Sequence, residues 1–260
     1  MLRRAERGFA VRLREYATGA LVITLRDMGA SSTTPLVSTA TRRGSPLAAD
    51  SFVEIRGLTR SFGGRDVVRD FSLSMQPGDR VALCGPNGSG KTTIIRCLAG
   101  TLLPTRGEVR IATHPASSVK ARQLVGVSLA HERSFYLRLT GRQNLIFFAG
   151  IRNYGKRAAA QLVREIEEEL ELAPILDKRV NQYSTGMVQQ LAFARALLGE
   201  PPLVLLDEPT RSLDAAAVLR VWSAVERRPD MALLVTTHKD DDVEHCHDRI
   251  DLDAPQAERR

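Results

Sequence analysis

The chain has 260 residues, 43% of them hydrophobic and 26% charged, the balance of a soluble globular protein, which excludes a fibrous or wholly disordered chain. Its longest apolar runs, such as Ala20 to Leu25 and Leu203 to Leu206, fall far short of the ~20 residues that span a bilayer, so it is not expected to cross a membrane by itself. The net charge of +7 is unevenly placed: residues 1–50 hold eight Lys/Arg against four Asp/Glu and the rest hold 29 against 26, a near-neutral body that argues against a nucleic-acid face.

Residues 1–50 differ in character from the remainder of the chain. Arg3 to Arg14 is Arg-rich, Ala20 to Leu25 is briefly apolar, and Ala30 to Pro46 is rich in Ser, Thr, Gly and Pro. The expectation is a disordered extension or a start upstream of the native one, with a membrane-surface or targeting role as the alternative. A secretory signal fits poorly, because the apolar run is short and Arg26 and Asp27 come directly after it.

From Phe52 the pattern becomes short apolar runs separated by turn residues. Phe52 to Ile55, Val67 to Leu73 and Arg80 to Cys84 read as strands, broken at Gly63-Gly64 and Pro77-Gly78. Glu108 to Ile111 and Val125 to Leu129 read the same way. Leu203 to Leu206 and Leu233 to Thr236 are continuous apolar runs of the buried parallel kind, so an α/β fold with an antiparallel flank is expected. Helical stretches lie between them: Lys91 to Leu98, a run in which Leu162, Ile166 and Leu170 recur at four-residue spacing, Gly186 to Leu198, and Ala215 to Glu226. The expected division is one domain over 51–252 and a tail over 253–260. Cys84, Cys97 and Cys246 form no CxxC pair, which favours a reducing, cytosolic compartment over a disulfide framework.

Gly85 to Thr92 reads Gly-Pro-Asn-Gly-Ser-Gly-Lys-Thr, a phosphate-binding loop pattern with a strand before it and a helix after it. Three glycines let the backbone curl until successive N–H groups point at phosphate oxygens, and the helix start adds its positive dipole end. Lys91 is placed to reach the β- and γ-phosphates and Thr92 to offer a hydroxyl to Mg²⁺. The expected nucleotide-binding residues are Gly85, Asn87, Gly88, Ser89, Gly90, Lys91, Thr92 and Thr93.

Downstream, Leu203-Val-Leu-Leu-Asp-Glu208 is an apolar strand ending in two carboxylates. Asp207 can hold Mg²⁺ through water opposite Thr92, and Glu208 can polarise the attacking water. Twenty-three residues before Asp207, Ser184 and Gly186 open a helix in Tyr183-Ser-Thr-Gly-Met, where N–H groups and a hydroxyl could form a second anion site.

With these motifs in this order, residues Phe52 to Leu252 resemble the nucleotide-binding subunit of ATP-binding-cassette (ABC) transporters. The resemblance implies a P-loop NTPase fold of the ABC type, with an antiparallel β flank and a helical subdomain at about 131–182. It further implies ATP and Mg²⁺ as ligands, with Thr92 and Asp207 on the metal and Glu208 and His238 as catalytic residues. Ser212-Leu213-Asp214 matches the D-loop, and Phe62 matches the aromatic that stacks on adenine. The resemblance also implies a head-to-tail dimer in which Ser184 and Gly186 of one subunit close over the ATP held by Lys91 of the other.

The chain departs from the family pattern in two places. Thr185 and Met187 stand where Gly and Gln are usual, and the loop after Leu129 lacks the usual glutamine, with His131 at that place. The stretch Arg133 to Leu145 resembles ATPases of bacterial ABC-2-type exporters. The expected function is thus the ATP-hydrolysing subunit of an exporter, peripheral on the cytoplasmic face of the membrane through a separate permease docked along His131 to Gln182. The alternative is a soluble ABC ATPase with no transport role. Asp240, Asp241, Asp242, Glu244, His245, Cys246, His247 and Asp248 include metal-ligand types, but i and i+2 residues point apart on a helix, so a solvated helix start is expected there rather than a metal site.

Overall fold

The computed structural model describes residues 51–129 and 134–252, together with the backbone of two strands nearer the N-terminus. Those two, β1 (Phe9–Glu15) and β2 (Leu21–Asp27), pair antiparallel in register from Phe9 opposite Asp27 to Glu15 opposite Leu21. The expectation of a disordered extension does not foresee this hairpin; the rest of residues 1–50, His131 and the 253–260 tail lie outside the described residues.

The antiparallel flank is a four-stranded sheet of β3 (Val53–Phe62), β4 (Arg65–Met75), β6 (Arg106–Ile111) and the short β7 (His114–Pro115), in the order β4-β3-β6-β7. Gly63 and Gly64, both at positive φ, turn β3 into β4, the conformation that only a residue without Cβ adopts freely. A second sheet has five strands: β5 (Arg80–Cys84), β8 (Val125–Leu129), β9 (Leu203–Asp207), β10 (Ala232–Thr236) and β11 (Asp248–Asp251). It is parallel throughout, in the order β11-β5-β10-β9-β8.

The helices in chain order are α1 (Lys91–Leu98), α2 (Val119–Gln123), α3 (Gly141–Ile151), α4 (Lys156–Leu170), α5 (Ala173–Leu176), α6 (Thr185–Leu197) and α7 (Ala215–Glu226), with one further turn described below. The central strands are apolar throughout because both of their faces are covered, and alternate residues serve two different cores. Val81, Leu83, Leu203, Leu205, Ala232 and Leu234 pack with Ile94, Ile95 and Leu98 of α1 and with Ile55, Leu58, Met75 and Ile111 of the antiparallel sheet. Ala82, Cys84, Val204, Leu206, Leu233 and Val235 belong to the other core, with Leu191 and Ala192 of α6 and Val221 and Trp222 of α7.

The sequence reading does not single out α3 as a helix. It opens on a reciprocal capping box: the Thr140 hydroxyl accepts from the Gln143 N–H while the Gln143 side chain accepts from the Thr140 N–H. In α4 the buried face is Ala159, Val163, Ile166 and Leu170, and its acidic run is not simply solvated. Glu167 takes two bonds from the Arg142 guanidinium of α3 at 2.6 and 2.7 Å, and Glu169 takes two from Arg228, beyond α7, both at 2.6 Å.

Candidate active site

Parallel register brings three strand ends level. Thr236 of β10 lies opposite Leu83 of β5 on one side and Asp207 of β9 on the other, so the loops leaving these strands open at one edge of the sheet. Ligands of open α/β sheets bind at this carboxyl edge. A cavity of about 580 Å³ opens there, lined by the glycine loop, by Thr92, Thr93, Asp207 and Glu208, and by Thr185, Gln189, Arg211 and Ser212. A smaller one of about 310 Å³ shares Asn87, Glu208 and Arg211 with it and adds Gly85, Pro86 and His238.

The glycines of the loop are required by geometry at both ends. Gly90 has φ +98°, and a Cβ there would lie 2.8 Å from Val68 Cγ2 and 2.9 Å from the Val67 carbonyl oxygen. Gly85 has φ +140° with the Leu252 carbonyl oxygen 2.5 Å from a Cβ position. Lys91, only 7% exposed, is folded back so that its ammonium donates to the carbonyls of Gly85 at 2.6 Å and Pro86 at 3.0 Å. The buried Ser89 hydroxyl has no hydrogen-bond partner. A curled loop carrying a sequestered ammonium and an unpaired hydroxyl fits an incoming phosphate, which would supply the missing acceptors.

The metal candidates also meet. Thr92 Oγ1 donates to Asp207 Oδ2 at 2.9 Å, and Thr236 Oγ1 donates to Asp207 Oδ1 at 2.5 Å, fixing the carboxylate in its plane. A hydroxyl beside a carboxylate at the mouth of a phosphate cradle is the all-oxygen donor set that Mg²⁺ prefers, with few protein ligands.

Glu208 is held from both sides. It adopts φ +49°, a left-handed conformation that costs a non-glycine residue on the order of 1 kcal/mol or more. Its N–H donates to Thr236 O at 3.0 Å, and its carbonyl accepts from Gln189 Nε2 at 3.1 Å. Its carboxylate Oε2 lies 2.8 Å from His238 Nδ1, which brings the two expected catalytic residues into contact across 30 residues of sequence.

Other expected residues are placed differently. Ser184 caps α6, its hydroxyl accepting from the Met187 N–H at 3.3 Å, and Asp214 caps α7, accepting from the Ala217 N–H at 2.8 Å. Thr185, not Ser184, lines this chain's own cavity. Gly186 lies so close to the Ser212 carbonyl that a Cβ would sit 2.5 Å from its oxygen, which sets the start of α6 directly against the segment after Glu208. Phe62 is 47% exposed, outside both cavities, with the Arg60 guanidinium 4.5 Å from its ring centre.

Sequence reasoning missed Gln189, Thr236 and Arg211 as members of the site. In the acidic stretch a helix start with Asp240 and Asp241 exposed is found as expected, and Asp242 alone departs from that reading. The helix there, α8 (Asp240–Val243), is a single turn, and Asp242 is not solvated but 2% exposed. No cluster of three or more metal-ligand side chains occurs among the described residues. A threonine after an apolar strand and an Asp four residues past a histidine carry no motif, so only the fold reveals them.

Comparison with known proteins agrees with this geometry. The family model described as "ABC transporter" matches residues 68–211. The uncharacterized ABC transporter ATP-binding protein YdbJ of Bacillus subtilis (strain 168) is 35% identical over 207 residues, covering 78% of this chain. The Nod factor export ATP-binding protein I of Bradyrhizobium diazoefficiens is 34% identical over 202 residues, covering 76% of it. The chain spans 66% of the length of each of these two relatives. Among solved structures, the dimeric post-hydrolysis state of the ATP-binding cassette MJ0796 bound to ADP and Pi superposes with a TM-score of 0.71 at 23% identity. That match covers 80% of this chain and 97% of the other, and it speaks for the fold alone. With its phosphate cradle, paired carboxylates and matching relatives, the chain belongs to the ABC transporter family and carries that family's ATPase domain.

Proposed function

We propose that the chain is the ATP-binding and hydrolysing subunit that powers a membrane exporter, working as a dimer on a separate membrane-spanning permease. The observation that carries the hydrolytic part is the contact between Glu208 and His238 beside the cavity lined by Lys91 and Thr92. An incoming triphosphate exchanges the Lys91 ammonium's carbonyl partners for charged oxygens, while the loop N–H groups and the start of α1 hold the remaining phosphate charge. Thr92 and Asp207 would hold Mg²⁺, which when bound neutralises phosphate charge. Glu208 orients the attacking water and takes its proton at the carboxylate, and His238 keeps that carboxylate aimed at the cavity.

Export as the direction of work, and an ABC-2-type partner, rest on the resemblance of Arg133 to Leu145 and on the name of the Nod factor export relative. Docking on a permease along His131 to Gln182 is supported by Tyr136, Leu137 and Phe147, which are 50%, 42% and 39% exposed. Among the described residues no helix is long and apolar enough to cross a membrane, so attachment is proposed to be peripheral, on the cytoplasmic face.

Glu208→Gln tests both halves. Steady-state ATP turnover is expected to fall by about 10²- to 10⁴-fold with nucleotide binding retained. Pulled down with ATP from detergent-solubilised membranes, the variant is expected to bring a multi-span protein with it. Turnover near the wild-type rate would remove Glu208 from the chemistry, and recovery of only soluble partners would favour a non-transport ABC ATPase.

A further inference from the structure

The one buried carboxylate of the acidic stretch lies where it can control the Glu208–His238 pair. Asp242, 2% exposed, accepts from the Thr210 hydroxyl at 2.9 Å on each of its oxygens and from the Thr237 hydroxyl at 2.7 Å on Oδ2. Thr210 stands two residues after Glu208 and Thr237 immediately before His238. Both threonines are buried, at 1% exposure.

Lys239 closes the cluster. Its N–H donates to the Thr237 hydroxyl oxygen at 3.0 Å within the same segment, and its ammonium donates to the Thr210 carbonyl at 2.8 Å, which adds a second tie between the segments after β9 and β10 to the one Asp242 makes with Thr210. Thr237 is anchored in turn to β5, its N–H donating to the Leu83 carbonyl at 3.2 Å. Meanwhile His238 is 56% exposed in its side chain and makes its ion-pair contact only with Glu208 among the described residues. An imidazole more than half exposed takes little of its position from packing. What fixes it is the residue before it, and that residue is tied through Asp242 to the Glu208 segment.

We infer that Asp242 is a positioning residue for hydrolysis: by bonding Thr210 and Thr237 at once, its carboxylate fixes the His238 segment against the Glu208 segment. It does not touch the cavity, so its effect travels through the pair it aligns. This rests on the reading of Glu208 and His238 as the hydrolytic pair. A side chain of this kind is needed because a misplacement of about 1 Å in a catalytic group can cost about 10²-fold in rate. A carboxylate suits the place because it accepts from both hydroxyls and has no donor of its own, whereas an amide offers one accepting oxygen and two N–H groups that would face donors.

The test uses Asp242→Asn and Thr237→Val in the full-length chain, each alone and combined with His238→Ala. Readouts are ATP turnover by steady-state and single-turnover phosphate release and affinity for a fluorescent ATP analogue. Each single variant is expected to lower kcat about tenfold or more with KM and analogue affinity nearly unchanged. In the His238→Ala background the same substitution is expected to add less than about twofold, because the alignment it supplies no longer has an object. Wild-type kcat in both variants, or the same fold-loss with and without His238, would overturn the proposal. Should Asp242→Asn fail to fold, Thr237→Val decides on the same criteria, since it removes the hydroxyl's two bonds, to Asp242 and from the Lys239 N–H, and keeps the volume. Glu208→Gln is run alongside: if it retains turnover the hydrolytic reading itself fails, whereas its inactivity beside an unaffected Asp242→Asn sinks this inference alone.

Discussion

The strand ends that form the nucleotide cavity and the helical segment from α3 to α5 are held by different kinds of contact. At the strand ends the carboxylates are held mainly by short side chains and backbone: Thr92 and Thr236 each bond Asp207 within 2.9 Å, and the Glu208 N–H is bonded to Thr236, with Gln189 as the one long side chain on its carbonyl. In the helical segment short side chains cap α3 locally, but the polar ties from one helix to the next element are long guanidinium groups, Arg142 reaching Glu167 and Asp177, and Arg228 reaching Glu169. Short donors with few rotatable bonds fix atoms; long ones tie elements together while leaving each some freedom. The carboxylates that must be placed for chemistry are fixed mainly by the first kind, and the elements of the region proposed to meet a partner are tied together mainly by the second.

That contrast is broken most sharply at Lys91. Lys91→Ala removes a cation from the cradle and is expected to lower affinity for ATP by about 10²-fold or more, the worth of one to two charge-assisted hydrogen bonds. The urea midpoint should change little, because the ammonium's present partners are two carbonyls of its own loop, which can turn to water instead. Equilibrium binding of a fluorescent ATP analogue together with a denaturation curve checks both halves. A large loss of stability would mean that the loop depends on its lysine for shape rather than for binding.

The helical side should show the reverse: stability lost, binding kept. Arg228→Met leaves Glu169, whose side chain is 17% exposed, without its two shortest bonds, and Arg227 at 3.1 Å is a poor replacement. A loss of about 2 kcal/mol is expected, below the roughly 3–5 kcal/mol of a fully buried pair because water reaches one edge. Analogue affinity should stay within about twofold of the wild type. A change in affinity as large as the change in stability would show that α4 and the nucleotide cavity are one unit, and the contrast between the regions would fall.

What could be read from the residues alone falls along the same divide. Gly85 to Thr92 and Asp207-Glu208 stand out as motifs because they are residue types at fixed spacing next to apolar strands, and spacing is what a sequence records; His238, a lone histidine after a strand, is singled out only through the family resemblance. The five parallel strands were legible except β11, whose Asp-Arg-Ile-Asp carries a single apolar residue at the sheet edge. Asp242 was not, because its partners stand 32 and 5 residues away and nothing in an acidic run distinguishes the one carboxylate that turns inward. Nor were the roles of Glu167 and Glu169: helical periodicity put them on the polar side of α4, and only the approach of α3 and of the segment beyond α7 gave them partners.

The smallest expected effect is in acid. Burial alone would raise the Glu169 pKa, but the hydrogen bonds and charges of Arg228 and Arg227 outweigh it and hold the group below the usual Glu value of 4.5. Glu167 and Asp177 are likewise lowered by hydrogen bonds from Arg142. With folded values below the unfolded ones, there is a pH range in which the unfolded chain binds a proton at these groups and the folded chain does not, so stability rises with pH through it. The contribution is complete above the unfolded carboxylate values and is lost as pH falls through the folded ones. Urea midpoints measured from about pH 6 downward should therefore decline below about pH 4.5, more steeply in the wild type than in Arg228→Met, which lacks one of the groups that depress Glu169. Equal slopes would mean that Arg228 adds nothing to the depression of Glu169, and that it holds α4 by the packing of its stem rather than by its charge.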